Sequence, residues 1–126
     1  MADAREAFAR ALHEGHEREH DQRWQDAVDT YTKLLSSLRP TKDPESRAMR
    51  AIALMRSGNA LMELRQWDDA RGALDEALHE AKGSGDPTIV AQALLAAGVF
   101  AANQNDREGM KMKADRLRAL LGKKLV

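Results

Sequence analysis

His16-Glu17-Arg18-Glu19-His20 has the spacing H-E-x-x-H, which on a helix sets two imidazoles one turn apart where both can ligate a metal ion. Glu17 lies beside them as a general base for a metal-bound water, the chemistry of a zinc hydrolase, and His13 extends the stripe by one turn. A catalytic ion also needs a third ligand and an open coordination position. The remaining histidine is His79, on another helix, and Glu63 is the better-placed third ligand. Against the hydrolase stand the density of glutamate around the motif and the lack of any strand-like alternation to hold a substrate. The bland alternative is that His13, His16 and His20 are exposed polar residues of an end helix. Other catalytic sets are missing their parts. There is no cysteine, hence neither a thiolate site nor a disulfide. Gly83-Ser84-Gly85 is too short for a phosphate loop and has no lysine in place. Ser36, Ser37, Ser46 and Ser57 have no histidine at a suggestive spacing.

The elements that carry these residues follow a repeated pattern. Gly58, Trp67, Ala70, Leu74, Ala77 and Leu78 form an ordered series at helical spacing. Gly15, Trp24, Ala27, Tyr31 and Leu34 run in the same order upstream, and Gly98, Met110, Ala114 and Leu117 make a fainter copy downstream. A period of about 40 residues points to stacked helical hairpins. The spacing predicts a first helix over 2–21 and a second from Arg23 to about Ser37, with Trp24, Ala27, Val28, Tyr31, Leu34 and Leu35 on one buried face. Two breaks, Leu38 to Pro44 and Lys82 to Pro87, each end in Asp-Pro. The aspartate can accept from the free N–H groups of a helix start, and proline suits the first helical position because it has no N–H to leave unsatisfied. Repeats are therefore expected over about 2–42, 43–85 and 86–122, within a single domain spanning 1–126. Glycine inside a helix costs about 1 kcal/mol relative to alanine. Three in register predict close helix packing, opposite Ala27 and Ala70. Met49, Met55 and Met62, on one helix, suit either gap-filling core or an adaptable binding surface.

The pattern resembles the tetratricopeptide repeat over nearly the whole chain. Gly15, Gly58 and Gly98 match the small position of that family's first helix, Ala27 and Ala70 the small position of its second. Tyr31 and Leu74 match the large apolar position that follows, and Trp24 and Trp67 the aromatic at the second helix's start. The spacing is similar to extended variants rather than the standard repeat of about 34 residues. In the third copy Arg107 replaces the aromatic and Met110 the alanine. The resemblance implies an all-α fold: three antiparallel helix pairs in a right-handed superhelix whose first helices line a concave groove. Carried over, the groove positions are Leu12, His16, Glu19 and His20 in the first copy, and Ile52, Met55, Asn59, Met62 and Glu63 in the second. The third contributes Gln92, Leu95, Val99, Ala102 and Asn103. Family members that clamp a chaperone's terminal carboxylate use basic residues and asparagine at set positions. Here those positions hold Leu12, His16, Arg56, Gln92 and Ala96, so a chaperone tail is not expected.

Composition bounds the rest. Formal net charge is zero, which gives no support for nucleic acid or an anionic membrane as partner. No charge-free apolar run is long enough to span a bilayer and the N-terminus lacks a signal-peptide core, so a cytoplasmic protein is expected. Residues 1–30 hold eight acids against four arginines, whereas from Asp106 onward seven bases face three acids. The leading expectation is a non-catalytic protein-interaction module without a cofactor, holding a peptide segment or a partner helix in the groove. A weak homo-oligomer, stacking its acidic end on the basic end of another copy, is the second. The zinc hydrolase is the third.

Overall fold

The computed structural model describes residues 4–104 and 107–125. Six helices follow one another: α1 (Ala4–His20), α2 (Trp24–Ser37), α3 (Pro44–Glu63), α4 (Trp67–Ser84), α5 (Pro87–Asn103) and α6 (Arg107–Leu125). Among the described residues there is no strand.

Both Asp-Pro breaks start helices as their chemistry requires. The Asp43 carboxylate accepts from the Ser46 N–H at 2.9 Å and the Asp86 carboxylate from the Thr88 N–H at 2.9 Å, with Pro44 and Pro87 in the first turn. The second break is shorter than the sequence pattern implies. Gly83 and Ser84 still belong to α4, and Gly85, at φ 72°, ends the helix in the left-handed conformation.

Within the first two hairpins the turns are copies of each other. Arg23 N–H donates to Arg18 C=O at 2.8 Å and Gln22 N–H to Glu19 C=O at 2.9 Å. In the second turn Gln66 N–H donates to Leu61 C=O at 3.0 Å and Arg65 N–H to Met62 C=O at 2.9 Å. These are paired Schellman bonds, which need one left-handed residue. Gln22 (φ 60°) and Arg65 (φ 59°) fill that place without being glycine.

Packing runs between neighbours. Each helix packs on the next in the chain, and α3 also packs on both α1 and α5. Odd-numbered helices thus lie side by side in one layer, and even-numbered ones cover its back. Buried clusters follow this order. Ala27, Val28, Tyr31, Ala60, Leu61, Ala70 and Leu74 join the first two hairpins, with Phe100 at the edge. Ala51, Leu54, Met55, Ala77, Leu78, Ala81, Ala93 and Leu94 join α3 and α4 to α5. Gly15 is the sole buried residue of α1, as an end helix with one packed side should have.

Gly15 and Gly58 sit at close approaches, and the atoms nearest them belong to the residue one turn beyond Ala27 and Ala70. A Cβ on Gly15 would lie 2.4 Å from the Tyr31 ring, and one on Gly58 2.7 Å from Leu74 Cδ2, while the Ala70 carbonyl is 3.6 Å away. The crowding residue is the large apolar one, a turn beyond the alanine. Gly98 is different: among the described residues, a Cβ there would meet only Lys113 Cβ, at 4.0 Å. The residue in the place of Tyr31 and Leu74 is Ala114, which leaves room. Gly98→Ala is therefore expected to stabilise the chain by about 1 kcal/mol, measured as a raised urea midpoint; a lowered midpoint would mean α5 and α6 sit closer than this.

Candidate functional site

The layer of α1, α3 and α5 encloses an open groove of about 1040 Å³. From α3 it is lined by Ile52, Met55, Arg56, Asn59, Met62 and Glu63, and from α5 by Gln92, Leu95, Ala96, Val99 and Asn103. Leu12 is the contribution of α1, and Arg65 and Trp67 close the end near the second turn. The lining follows from helical spacing. Positions 52, 55, 59 and 62 on α3 and 92, 95, 99 and 103 on α5 recur every three or four residues, so each set forms one stripe. Apolar side chains fill the middle, with Asn59 between them, and amides and charges mark the ends.

Three residues of α1 expected in the groove are not among those lining it: His16, Glu19 and His20. His16 and His20 are exposed on the end helix. Glu19 is committed elsewhere. Tyr31 Oη donates to Glu19 Oε2 at 3.1 Å, and Arg56 Nη1 lies 3.9 Å from the same oxygen. The Tyr31 ring is fully buried against Gly15, and that burial, with the Glu19 carboxylate beside the hydroxyl, pushes its pKa up. Glu19 thus ties the first hairpin to the groove side of α3 through Arg56.

Met55 serves both of the roles open to it. It lines the groove but is buried in the core with Leu54, Ala93 and Leu94. Met49 is core as well, while Met62 is half-buried and takes a contact from Asn103 Nδ2 at 4.0 Å. The apolar surface that faces solvent here belongs to α5, where Leu95 is 58% and Val99 47% exposed. Ala102, the remaining groove position carried over, is exposed but is not part of the lining.

For the H-E-x-x-H residues, His13 Nε2 pairs with Glu17 Oε1 at 3.0 Å, so the carboxylate that would act as base has a partner on its own helix. Among the described residues no three His, Cys, Asp or Glu side chains come together at a distance that could hold an ion, and Glu63 does not join His16 and His20. Arg107 and Met110, which break the pattern in the third copy, have side chains outside the described residues.

Sequence reasoning missed two features. Arg65 and Trp67 belong to the groove's end because the second turn folds toward it. Trp67 is half-buried, packed edge-on against Phe100 at 6.5 Å between ring centroids, and Arg71 lies 5.5 Å above the same ring. The other is a buried polar network behind the groove. Arg50, 8% exposed, donates to the Leu38 carbonyl at 2.5 Å, the Leu35 carbonyl at 3.5 Å and Glu76 Oε1 at 3.3 Å. Its Nε lies 3.9 Å from Glu80 Oε2, which also accepts from Arg47 Nε at 3.3 Å. Arg47 reaches over Gly83, donating to the His79 carbonyl at 3.3 Å, and occupies the space any Cβ at Gly83 would need.

No protein-family model, curated protein or solved structure matches this chain. Among the described residues no helix is long and apolar enough to cross a membrane. The fold and site define an all-helical chain of three packed hairpins with a groove on its odd-helix face.

Proposed function

We propose that the chain is a non-catalytic protein-interaction module of the tetratricopeptide-repeat kind, with its three hairpins as a short right-handed superhelix in the cytoplasm. The groove between α3 and α5 is its contact surface, and the occupant is a protein presenting a helix or an extended segment. One observation carries this reading: Leu95 and Val99 are exposed beside the half-buried Ile52 and Met62, forming an apolar strip bordered by amides and charges. Such a surface suits apolar side chains flanked by a backbone that needs donors and acceptors, which Asn59 and Asn103 supply. Glu63 and Arg65 give the strip opposite charges at one end.

Because Met55 is core, a test through that residue would unfold the site along with the function. Asn59 is exposed on the groove floor and is the better probe. Asn59→Arg fills the groove and is expected to leave the melting temperature unchanged. Capture of a partner, identified by pull-down with the unaltered chain, should weaken by more than about tenfold, the loss typical of a disturbed central contact. Wild-type affinity in the folded variant would place the contact surface on another face.

A further inference from the structure

We infer that the groove's partner is a second copy of this chain, paired through antiparallel contact of α5 with its counterpart. This rests on the groove being the contact surface, and names what occupies it. From Pro87 to Asn103 the helix has no charged residue, and it is apolar around most of its circumference. A helix of that kind belongs in an interior. Here one side faces outward, with Leu95 58% and Val99 47% exposed and Gln92 and Asn103 exposed beyond them.

The outward stripe is complementary to itself. A twofold axis through the middle of α5, at Ala97 and Gly98, sets Gln92 against Asn103 of the other copy at both ends. Between them, Leu95 and Val99 meet the corresponding apolar stretch. Amides both donate and accept, so two of them can pair in either direction. A neutral stripe meeting its own copy brings no like charges together, and isologous contact closes at two subunits. The apolar strip along Ile52 and Met62 then lies beside the incoming α5 and covers its flank. This differs from stacking of the acidic and basic ends, which screening by salt would weaken.

Sedimentation equilibrium of the purified chain alone, at low and high salt, tests the inference. The expected result is a dimer of roughly micromolar affinity, in the range of stable interfaces, whose mass does not change with salt. Val99→Asp, checked for unaltered helicity, sets two carboxylates near each other at the axis and should weaken the dimer by more than about tenfold. The chain has no cysteine, so introduced thiols report unambiguously. Gln92→Cys together with Asn103→Cys should give disulfide-linked dimers on mild oxidation, and Gln92→Cys alone should not. A chain still monomeric at about 100 µM, a polymer that dissolves with salt, a dimer indifferent to Val99→Asp, or ready cross-linking by Gln92→Cys alone each overturns it. A monomer that nevertheless loses a captured partner on Asn59→Arg would leave the groove as the contact surface and remove only the second copy.

Discussion

Gly58→Leu is expected to lower stability by about 3 kcal/mol or more, at the upper end of what overpacking costs. Even the first added carbon would sit 2.7 Å from Leu74 Cδ2 and 2.8 Å from Leu74 Cγ. Leu74 cannot swing aside, because it is 2% exposed and packed between Ala27, Ala60, Ala70 and Phe100 in the same cluster. A longer side chain has to drive α3 from α4, the most extensive helix pair in the molecule. For a chain of this size, each kcal/mol lowers the melting temperature by roughly 3–6 °C, so a fall of about 10 °C or more is expected by calorimetry. Gly98→Ala, whose Cβ would meet Lys113 Cβ at 4.0 Å and nothing closer among the described residues, supplies the contrast. A Gly58→Leu variant as stable as the unaltered chain would mean that α3 and α4 are not in contact at this position in solution.

How much of this could be read from residue types depends on whether a residue's chemistry is local. Asp43-Pro44 and Asp86-Pro87 act within one turn of their own helix, so their role was plain from the letters. The glycines signalled close approach, because a recurrent helix-breaking residue needs a reason. The residues that crowd Gly15 and Gly58 most, Tyr31 and Leu74, lie one turn beyond Ala27 and Ala70, since spacing gives a helix's face but not its stagger against the neighbour. Gln22 and Arg65 carry no mark of the left-handed conformation that the turns impose on them. Met55 lines the groove as the alignment places it, but α5 packs on α3 closely enough to bury most of it, and that depends on interhelical distance. Glu19 is a groove position by alignment, yet it is held by a phenol on the following helix that alignment does not reveal. The arginine network did leave a trace. Arg50 falls on one stripe with Leu54, Ser57 and Leu61, all buried, and α2 ends without a basic residue in its last turn. A cation on an apolar stripe beside a helix end that lacks one is the pattern that predicts Arg50's position.

Arg50→Met should cost about 3 kcal/mol, the loss typical of removing one partner from a buried charged network. The last carbonyls of a helix lack the usual intrahelical donor; at the end of α2 Arg50 supplies one to Leu38 from the neighbouring helix and a second, longer one to Leu35, whose carbonyl also accepts from the Leu38 N–H at 3.1 Å. A positive charge there is also favoured by the helix dipole. Methionine fills a similar volume but cannot donate, so the Leu38 carbonyl is left buried without that bond, and Glu76 and Glu80 lose a cation. Arg47 still reaches Glu80, which keeps the loss below that of a fully orphaned carboxylate. Glu80→Gln in the same background should then cost less than it does alone, giving a coupling energy of about 1 kcal/mol or more in a double-mutant cycle by urea unfolding. Because Arg50 joins the end of the first hairpin to α3, its loss should also loosen that hairpin against the groove, raising amide exchange across α1 and α2 more than across α5. Additive effects of the two substitutions, or a stability change near zero for Arg50→Met, would show that water already serves the α2 carbonyls and that the network does not hold the first hairpin in place.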